Sequence, residues 1–280
     1  MNTNFILYAN AVFSENTVNS YFSHIDKFLN FVGKPEEKIE DADVLLWLEE
    51  LSNQGLANSS KKQCLDSVKT YFRYLTKKGF IKVNPTVDVE VLNVTNKEKH
   101  YMTKEMIQDM MLHAKSYRDK AIILLYVTSG MRVSELTGLT IQQYQDMKNN
   151  GDCKIDIVGK RDKHRFVYIN KQAQEAIDKY LIERKNAKCD ALFITTQGNA
   201  IARNNLNNTL KSIAKAAGIP FWNDMCNHQL RAASATIYYE NGMHINELQS
   251  FMGHTNVTTT LRYTKVNNAK VSNQVMEMQF

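Results

Sequence analysis

The chain has 280 residues, 43% hydrophobic and 23% charged, ordinary proportions for a globular protein with room for two cores. No apolar run reaches the roughly 18 residues a membrane span needs, and Met1 to Val12 has no basic flank ahead of an apolar stretch, so neither a span nor a signal peptide is expected. Cys64, Cys153, Cys189 and Cys226 lie far apart without paired spacing, which argues against a disulfide framework or zinc cluster and suits a reducing cytoplasm.

The net charge of +6 is unevenly distributed. Residues 1–100 carry 12 Lys/Arg and 13 Asp/Glu, whereas residues 101–280 carry 23 and 16. Within the first hundred the signs are sorted. Glu36, Glu37, Glu40, Asp41, Asp43, Glu49 and Glu50 cluster over 36–50, while Lys61, Lys62, Lys69, Arg73, Lys77, Lys78 and Lys82 fill 61–82 against Asp66 alone. Such sorting suits one side facing a polyanion and one facing solvent, although a solvated basic helix face explains the second run equally well.

In chain order, Val18, Tyr21, Phe22, Ile25, Phe28, Leu29 and Val32 follow three-and-four spacing and predict a helix that stops near Gly33-Lys34-Pro35. Val44, Leu45, Trp47, Leu48 and Leu51 predict a second. Leu65, Val68, Tyr71, Phe72 and Leu75 predict a third, closed by Gly79. On that helix Lys62, Lys69, Arg73 and Lys77 share one face, more than a right angle from the apolar stripe. It can pack on its neighbours and still offer cations to phosphates. Asn84-Pro85 then breaks the pattern, and residues 93–100 (NVTNKEKH) read as a polar linker between two domains, 1–92 and 101–280. Two domains on a flexible strap can close around a duplex from opposite sides.

Beyond the linker, Thr103 opens a helix that turns Met106, Ile107, Met110 and Met111 inward, and residues 119–128 (DKAIILLYVT) predict a buried one. Residues 153–158 and 165–169 predict a β-hairpin around a basic loop. Further helices are expected near 171–186, 204–217, 229–241, 245–252 and 256–263, with a short strand at Ala191-Leu192-Phe193-Ile194.

Four segments carry residue types that make chemical sense together. In SGMRVSEL, Arg132 sits where a glycine-containing break leads into a helix, a place that favours an anion. In GKRDKHR, a lysine on a tight turn can enter a groove and meet a phosphate or base edge. In HQLR, three-residue spacing puts His228 and Arg231 on one helical face. In GHTNVTTTLRY, a glycine-histidine break precedes a Thr-rich stretch ending in Tyr263. Taken singly, each has a plain structural explanation: Arg132 paired with Glu135, solvated turn charges, a histidine cap, a half-buried tyrosine.

In that order and spacing, the four segments resemble the tyrosine recombinase, or phage integrase, family, especially its small Xer-like members. The family pattern is an arginine in a TGLRxSEL-like segment, a lysine in a GKGxKxR-like hairpin, HxLR, GH, and a tyrosine nine residues beyond that last histidine. Here Tyr263 lies nine after His254. The likeness spans 101–280, and the N-terminal bundle looks like the SAM-like core-binding domain of these enzymes. The resemblance implies a mainly α fold with a small β-hairpin, in two domains: an N-terminal SAM-like helical bundle and a C-terminal mixed α/β catalytic domain. It nominates Arg132, Lys160, His228, Arg231, His254 and Tyr263 as catalytic. Lys62, Lys69, Arg73, Lys77, Arg161 and Lys163 are the expected DNA contacts. Three departures stand out: Arg161 replaces the glycine after the hairpin lysine, Tyr168 replaces a strand-ending proline, and Ala232 replaces a histidine after HxLR. Lys160 is preferred to Lys163 because it follows the strand-ending glycine directly.

The chemistry fits those residue types. A phenol with a pKa of about 10 is a modest nucleophile and a good leaving group in reverse, as strand cutting and rejoining demand. Two arginines grip non-bridging phosphate oxygens. Lys160 serves as acid for the leaving 5′-oxygen, His228 as acid/base for Tyr263, and His254 as a phosphate hydrogen-bond partner. Glu135 orients the site and does not react. Neither a metal nor a nucleotide or other small-molecule cofactor is expected, because the chain lacks a carboxylate or Cys/His cluster and a Gly-rich phosphate loop.

The expected partners are double-stranded DNA and sister subunits, as a homotetramer or a heterotetramer with a paralogue on synapsed sites, in the cytoplasm and away from membranes. The apolar tail residues Val271, Val275, Met276, Met278 and Phe280 are expected to dock on a neighbouring subunit. Type IB topoisomerase-like relaxation and a catalytically idle accessory factor are the competing readings. The intact six-residue set and the GH-to-Tyr spacing favour a recombinase. The absence of an additional N-terminal arm-binding domain favours a simple Xer-like or resolvase-like enzyme over a large phage integrase.

Overall fold

The computed structural model describes residues 1–90, 100, 102–158 and 164–261. They fall into two compact units, Met1–Glu98 and Lys99–Phe280. Lys160, Arg161, Lys163 and Tyr263, the tail beyond Leu261, and the expected linker apart from His100 lie outside the described residues.

The first unit contains four described α-helices: α1 (Thr3–Val12), α2 (Glu15–Val32), α3 (Asp41–Asn53) and α4 (Asn58–Lys77). Its core is built from the apolar stripes seen in the sequence. Ile25 and Phe28 of α2 meet Val44 and Trp47 of α3 and Val68, Tyr71, Phe72 and Leu75 of α4, all nearly or fully buried. Leu45 departs from expectation, being 52% exposed. The stripe from Val44 runs through Trp47 and Leu51, and Leu45 is turned about 100° away from it. Helix α1 was not expected from periodicity. It buries Phe5 and Ala9, one turn apart, in this core, with Phe5 edge-on to Tyr71, whose hydroxyl accepts a hydrogen bond from the Asn2 amide at 2.7 Å and donates to Glu36. On α4, Lys62, Arg73 and Lys77 are exposed and Lys69 is half-buried, away from the core-facing stripe.

The second unit runs α5 (Lys104–His113), α6 (Tyr117–Ser129), α7 (Val133–Gly138), α8 (Ile141–Asn149), β1 (Lys154–Val158), β2 (His164–Tyr168), α9 (Lys171–Glu183), α10 (Arg203–Ala216), α11 (Asn227–Glu240), α12 (Ile245–Met252) and α13 (Val257–Thr260). The apolar α6 is central and packs on α9 and α11. The two strands pair antiparallel, Lys154 with Tyr168 through Val158 with His164, and alternation turns Ile155, Ile157 and Val167 inward. Helix α8, which the sequence pattern does not announce, is started by Thr140 and Gln143 capping each other's backbone amides.

The strand expected at residues 191–194 does not form. Leu192 N–H bonds Leu139 O at 2.7 Å, Phe193 O accepts from Ile201 N, and Ile194 N–H bonds the Tyr180 hydroxyl. Three different segments satisfy that backbone, so only isolated bridges arise, Thr140 with Ala191 and Ile194 with Ala200. Among the described residues, no helix is long and apolar enough to cross a membrane.

Helix α6 ends on Gly130 in the left-handed conformation, φ +58°, and this turn delivers Arg132 to the start of α7. A Cβ at Gly130 would lie 2.8 Å from Met252 Sδ, and the left-handed region costs an L side chain about 1–2 kcal/mol. Gly130→Ala is therefore expected to destabilise the chain by at least that amount in denaturant unfolding. An unchanged midpoint would show that the turn relaxes freely.

Candidate active site

Two helix ends meet at the centre of the second unit. At one, Arg132 caps α7, its amide donating to Glu135 Oε2 at 2.6 Å and its Nη1 to Glu135 Oε1 at 2.9 Å. At the other, α12 closes on Gly253, also left-handed at φ +61°, and Arg132 Nη2 donates to the Gly253 carbonyl at 2.5 Å. Arg231, 4% exposed in the second turn of α11, donates through Nη1 to Gly130 O and through Nη2 to Met252 O at 2.5 Å. Carbonyls left without helical partners at the ends of α6 and α12 thus hold both guanidiniums.

His254 follows Gly253. Its Nε2 lies 3.3 Å from Arg231 Nη2, and its Nδ1 lies 2.9 Å from Thr260 Oγ1. His228 stands one turn before Arg231. It follows Asn227, whose buried side-chain oxygen accepts from the Tyr126 hydroxyl at 2.9 Å. Arg132, Arg203, Asn207, His228, Arg231 and His254 line one cleft of about 630 Å³. Such a wall of cationic and amide donors suits an oxyanion such as a phosphate.

Arg165 of β2 supports this centre from behind. Its Nε and Nη2 meet both oxygens of Glu135 at 3.0 and 2.6 Å, and its Nη1 donates to Phe251 O at 2.7 Å. A Cβ on Gly253 would come within 2.7 Å of Arg165 Cδ, so the glycine makes room for the arginine. Burial by itself would raise the Glu135 carboxyl, but hydrogen bonds and charge from Arg165, joined by Arg132, bring it down to about 2. Burial and the positive charges of Arg231, Arg132 and Arg165 lower His254 to about 4, so the ring is neutral near pH 7.

Four of the six residues expected to be catalytic, Arg132, His228, Arg231 and His254, come together here; Lys160 and Tyr263 lie outside the described residues. Lys62, Lys69, Arg73 and Lys77 are on α4 in the other unit, and Arg161 and Lys163 are also outside the described residues. Sequence reasoning passed over Arg165, Thr260, Arg203 and Asn207. The last two are four apart on the polar side of an amphipathic helix, a detectable signal. Arg165 was hidden in a basic run and Thr260 in a run of threonines. Among the described residues, no three His, Cys, Asp or Glu side chains cluster as metal ligands would.

Comparison with known proteins identifies the family. Residues 100–270 match the phage integrase family model, and residues 6–79 match the phage integrase N-terminal SAM-like domain. Tyrosine recombinase XerD of Oceanobacillus iheyensis is 27% identical, the alignment covering 92% of this chain and 90% of that protein. Tyrosine recombinase XerC of Thermodesulfovibrio yellowstonii is 29% identical over 90% and 86%. In fold, the chain is similar to a Tn1549 transposon integrase in complex with transposon right-end DNA, with a TM-score of 0.75, 18% identity, and coverage of 97% of this chain and 96% of that one.

The two shifted groups make stability acid-sensitive in two windows. His254 binds a proton below its ordinary 6.5 when unfolded but only near 4 when folded, so stability falls as pH drops from 6.5 to 4. Glu135 is ordinarily at 4.5 and is held near 2, so its contribution is present above 4.5 and lost as pH falls toward 2. Thermal unfolding across this range should show both declines. Glu135→Gln should lower stability at pH 7, since removing one partner of a buried ion pair costs about 3–5 kcal/mol, and it should flatten the lower window. An unaltered slope below pH 4.5 would contradict this account.

Proposed function

The chain belongs to the phage integrase family and is a tyrosine recombinase, an enzyme that cleaves and rejoins DNA strands, and from that premise we propose that Tyr263 is its nucleophile and that the α7–α11–α12 cleft holds the scissile phosphate. The observation that carries this reading is the meeting of Arg132 and Arg231, from helices distant in sequence, on consecutive carbonyls of one turn, Gly253 and Met252.

Arg132 and Arg231 bind non-bridging oxygens and stabilise the charge that grows on the pentacoordinate phosphorus. Their planar forks suit that task better than lysine would. Tyr263 attacks phosphorus and expels the 5′-oxygen, which takes a proton from Lys160. The resulting 3′-phosphotyrosyl link conserves the energy of the broken bond, so a 5′-hydroxyl from another strand reverses the step without ATP. His228 acts as acid/base for Tyr263, and His254 bonds a phosphate oxygen. Glu135 and Arg165 position Arg132.

Residues 1–92 form the core-binding domain on double-stranded DNA through Lys62, Lys69, Arg73 and Lys77 of α4. Residues 93–100 are the linker and 101–280 the catalytic domain, with Arg161 and Lys163 of the hairpin turn also touching DNA. The working assembly is a homotetramer, or a heterotetramer with a paralogue, on two synapsed sites in the cytoplasm, serving integration and excision or dimer and cointegrate resolution.

Tyr263→Phe should abolish covalent attachment to DNA and leave binding intact; equal attachment by both proteins would overturn the assignment. Arg132→Ala should slow cleavage by on the order of 10²–10³. Replacing Arg73 and Lys77 with Gln should weaken binding to every duplex tested and lower the salt slope by about one for each phosphate that is no longer neutralised, as read in titrations at several ionic strengths.

A further inference from the structure

Two contacts among the described residues bear on the proton of the His254 ring. Arg231 Nη2 lies 3.3 Å from Nε2, and a guanidinium only donates, so Nε2 accepts and carries no proton. The ring proton is therefore on Nδ1, 2.9 Å from Thr260 Oγ1. Thr260 is fully buried on α13, so its hydroxyl is a dry, fixed acceptor. It is also three positions before Tyr263 in sequence.

We propose that Thr260 is a positioning residue that locks His254 in the neutral Nδ1–H tautomer and thereby aims Nε2 into the phosphate cleft. The inference deepens the proposed function and rests on it for the identity of the ligand. It changes what His254 does during turnover. With Nε2 unprotonated, that nitrogen can accept a hydrogen bond but cannot donate one. To donate to a phosphate oxygen it must take up a second proton, and phosphate supplies the cause by bringing negative charge between the arginines. Thr260 accepts from Nδ1–H in either state, so the ring does not have to flip.

Among the described residues, the charged groups that act on His254 include Arg231 and His228 from α11, Arg132 at the start of α7, and Arg165 from β2. Glu135 of α7 lies behind Arg132 and Arg165 and offsets part of their charge. An anion in the cleft opposes the charges of Arg132 and Arg231, which line it, directly. DNA binding is therefore accompanied by proton uptake that becomes weaker as pH rises.

The test uses the full chain labelled with ¹⁵N-histidine, with His254→Gln to assign the signal. Ring-nitrogen NMR of the free protein near pH 7 should show a protonated Nδ1 and an unprotonated Nε2. Thr260→Ser, which keeps the hydroxyl, should preserve that pattern, whereas Thr260→Val should give mixed tautomers or Nε2–H. In suicide-substrate cleavage, Thr260→Val should lose up to about 10² in rate and shift the pH profile, with Thr260→Ser restoring both. An Nε2–H signal in the unaltered protein, or an unchanged tautomer in a folded valine variant, would overturn the proposal even if Tyr263→Phe still abolishes attachment. Conversely, the expected tautomer pattern together with normal attachment by Tyr263→Phe would sink the nucleophile assignment and leave the role of Thr260 standing.

Discussion

The cleft depends on one buried carboxylate. Glu135 is 8% exposed and takes hydrogen bonds from the Arg132 amide, the Arg132 guanidinium and two nitrogens of Arg165. A charge taken out of water is costly unless it is paired and its lone pairs are filled; here both conditions are met. The pairing links the start of α7 to β2, and through Arg165 Nη1 it reaches the end of α12. Three pieces of chain distant in sequence are therefore registered against each other by one residue.

Arg132 and Arg231, which line the cleft, are both held in part by backbone. Their partners include the carbonyls of Gly130, Met252 and Gly253, all at the ends of helices where such groups lack intrahelical donors. Two needs are met at once: the helix ends are satisfied, and the guanidiniums are fixed before any ligand arrives. The left-handed glycines let α6 and α12 stop abruptly and approach closely, since a Cβ at either position would collide with a neighbouring side chain. Burial, joined by this concentration of positive charge, lowers His254 to about 4 and keeps the ring neutral near pH 7.

Much of this was legible in the sequence, and the pattern of failure is physical. Helices with clean three-and-four stripes, such as α2 and α4, were found because burial of one face leaves a mark on residue order. Helix α1 was missed because only Phe5 and Ala9 are buried in it, too few to create a period. The strand at 191–194 was expected because apolar residues there resemble a buried strand. Whether it pairs depends on which segments lie beside it, and Leu139, Ile201 and the Tyr180 hydroxyl take its backbone groups separately. Leu45 was assigned to a core that its angular position on α3 turns it away from.

By itself the sequence determined the family, the two-domain plan and six candidate side chains, because spacing along the chain records which residues share a face or a turn. It could not show that Arg165 and Arg132 share one carboxylate, that Arg231 is held by backbone carbonyls, or that the His254 ring lies against Thr260. Those relations are made between segments far apart in sequence, where no periodicity operates and only the packing of α6, α11 and α12 brings donor to acceptor.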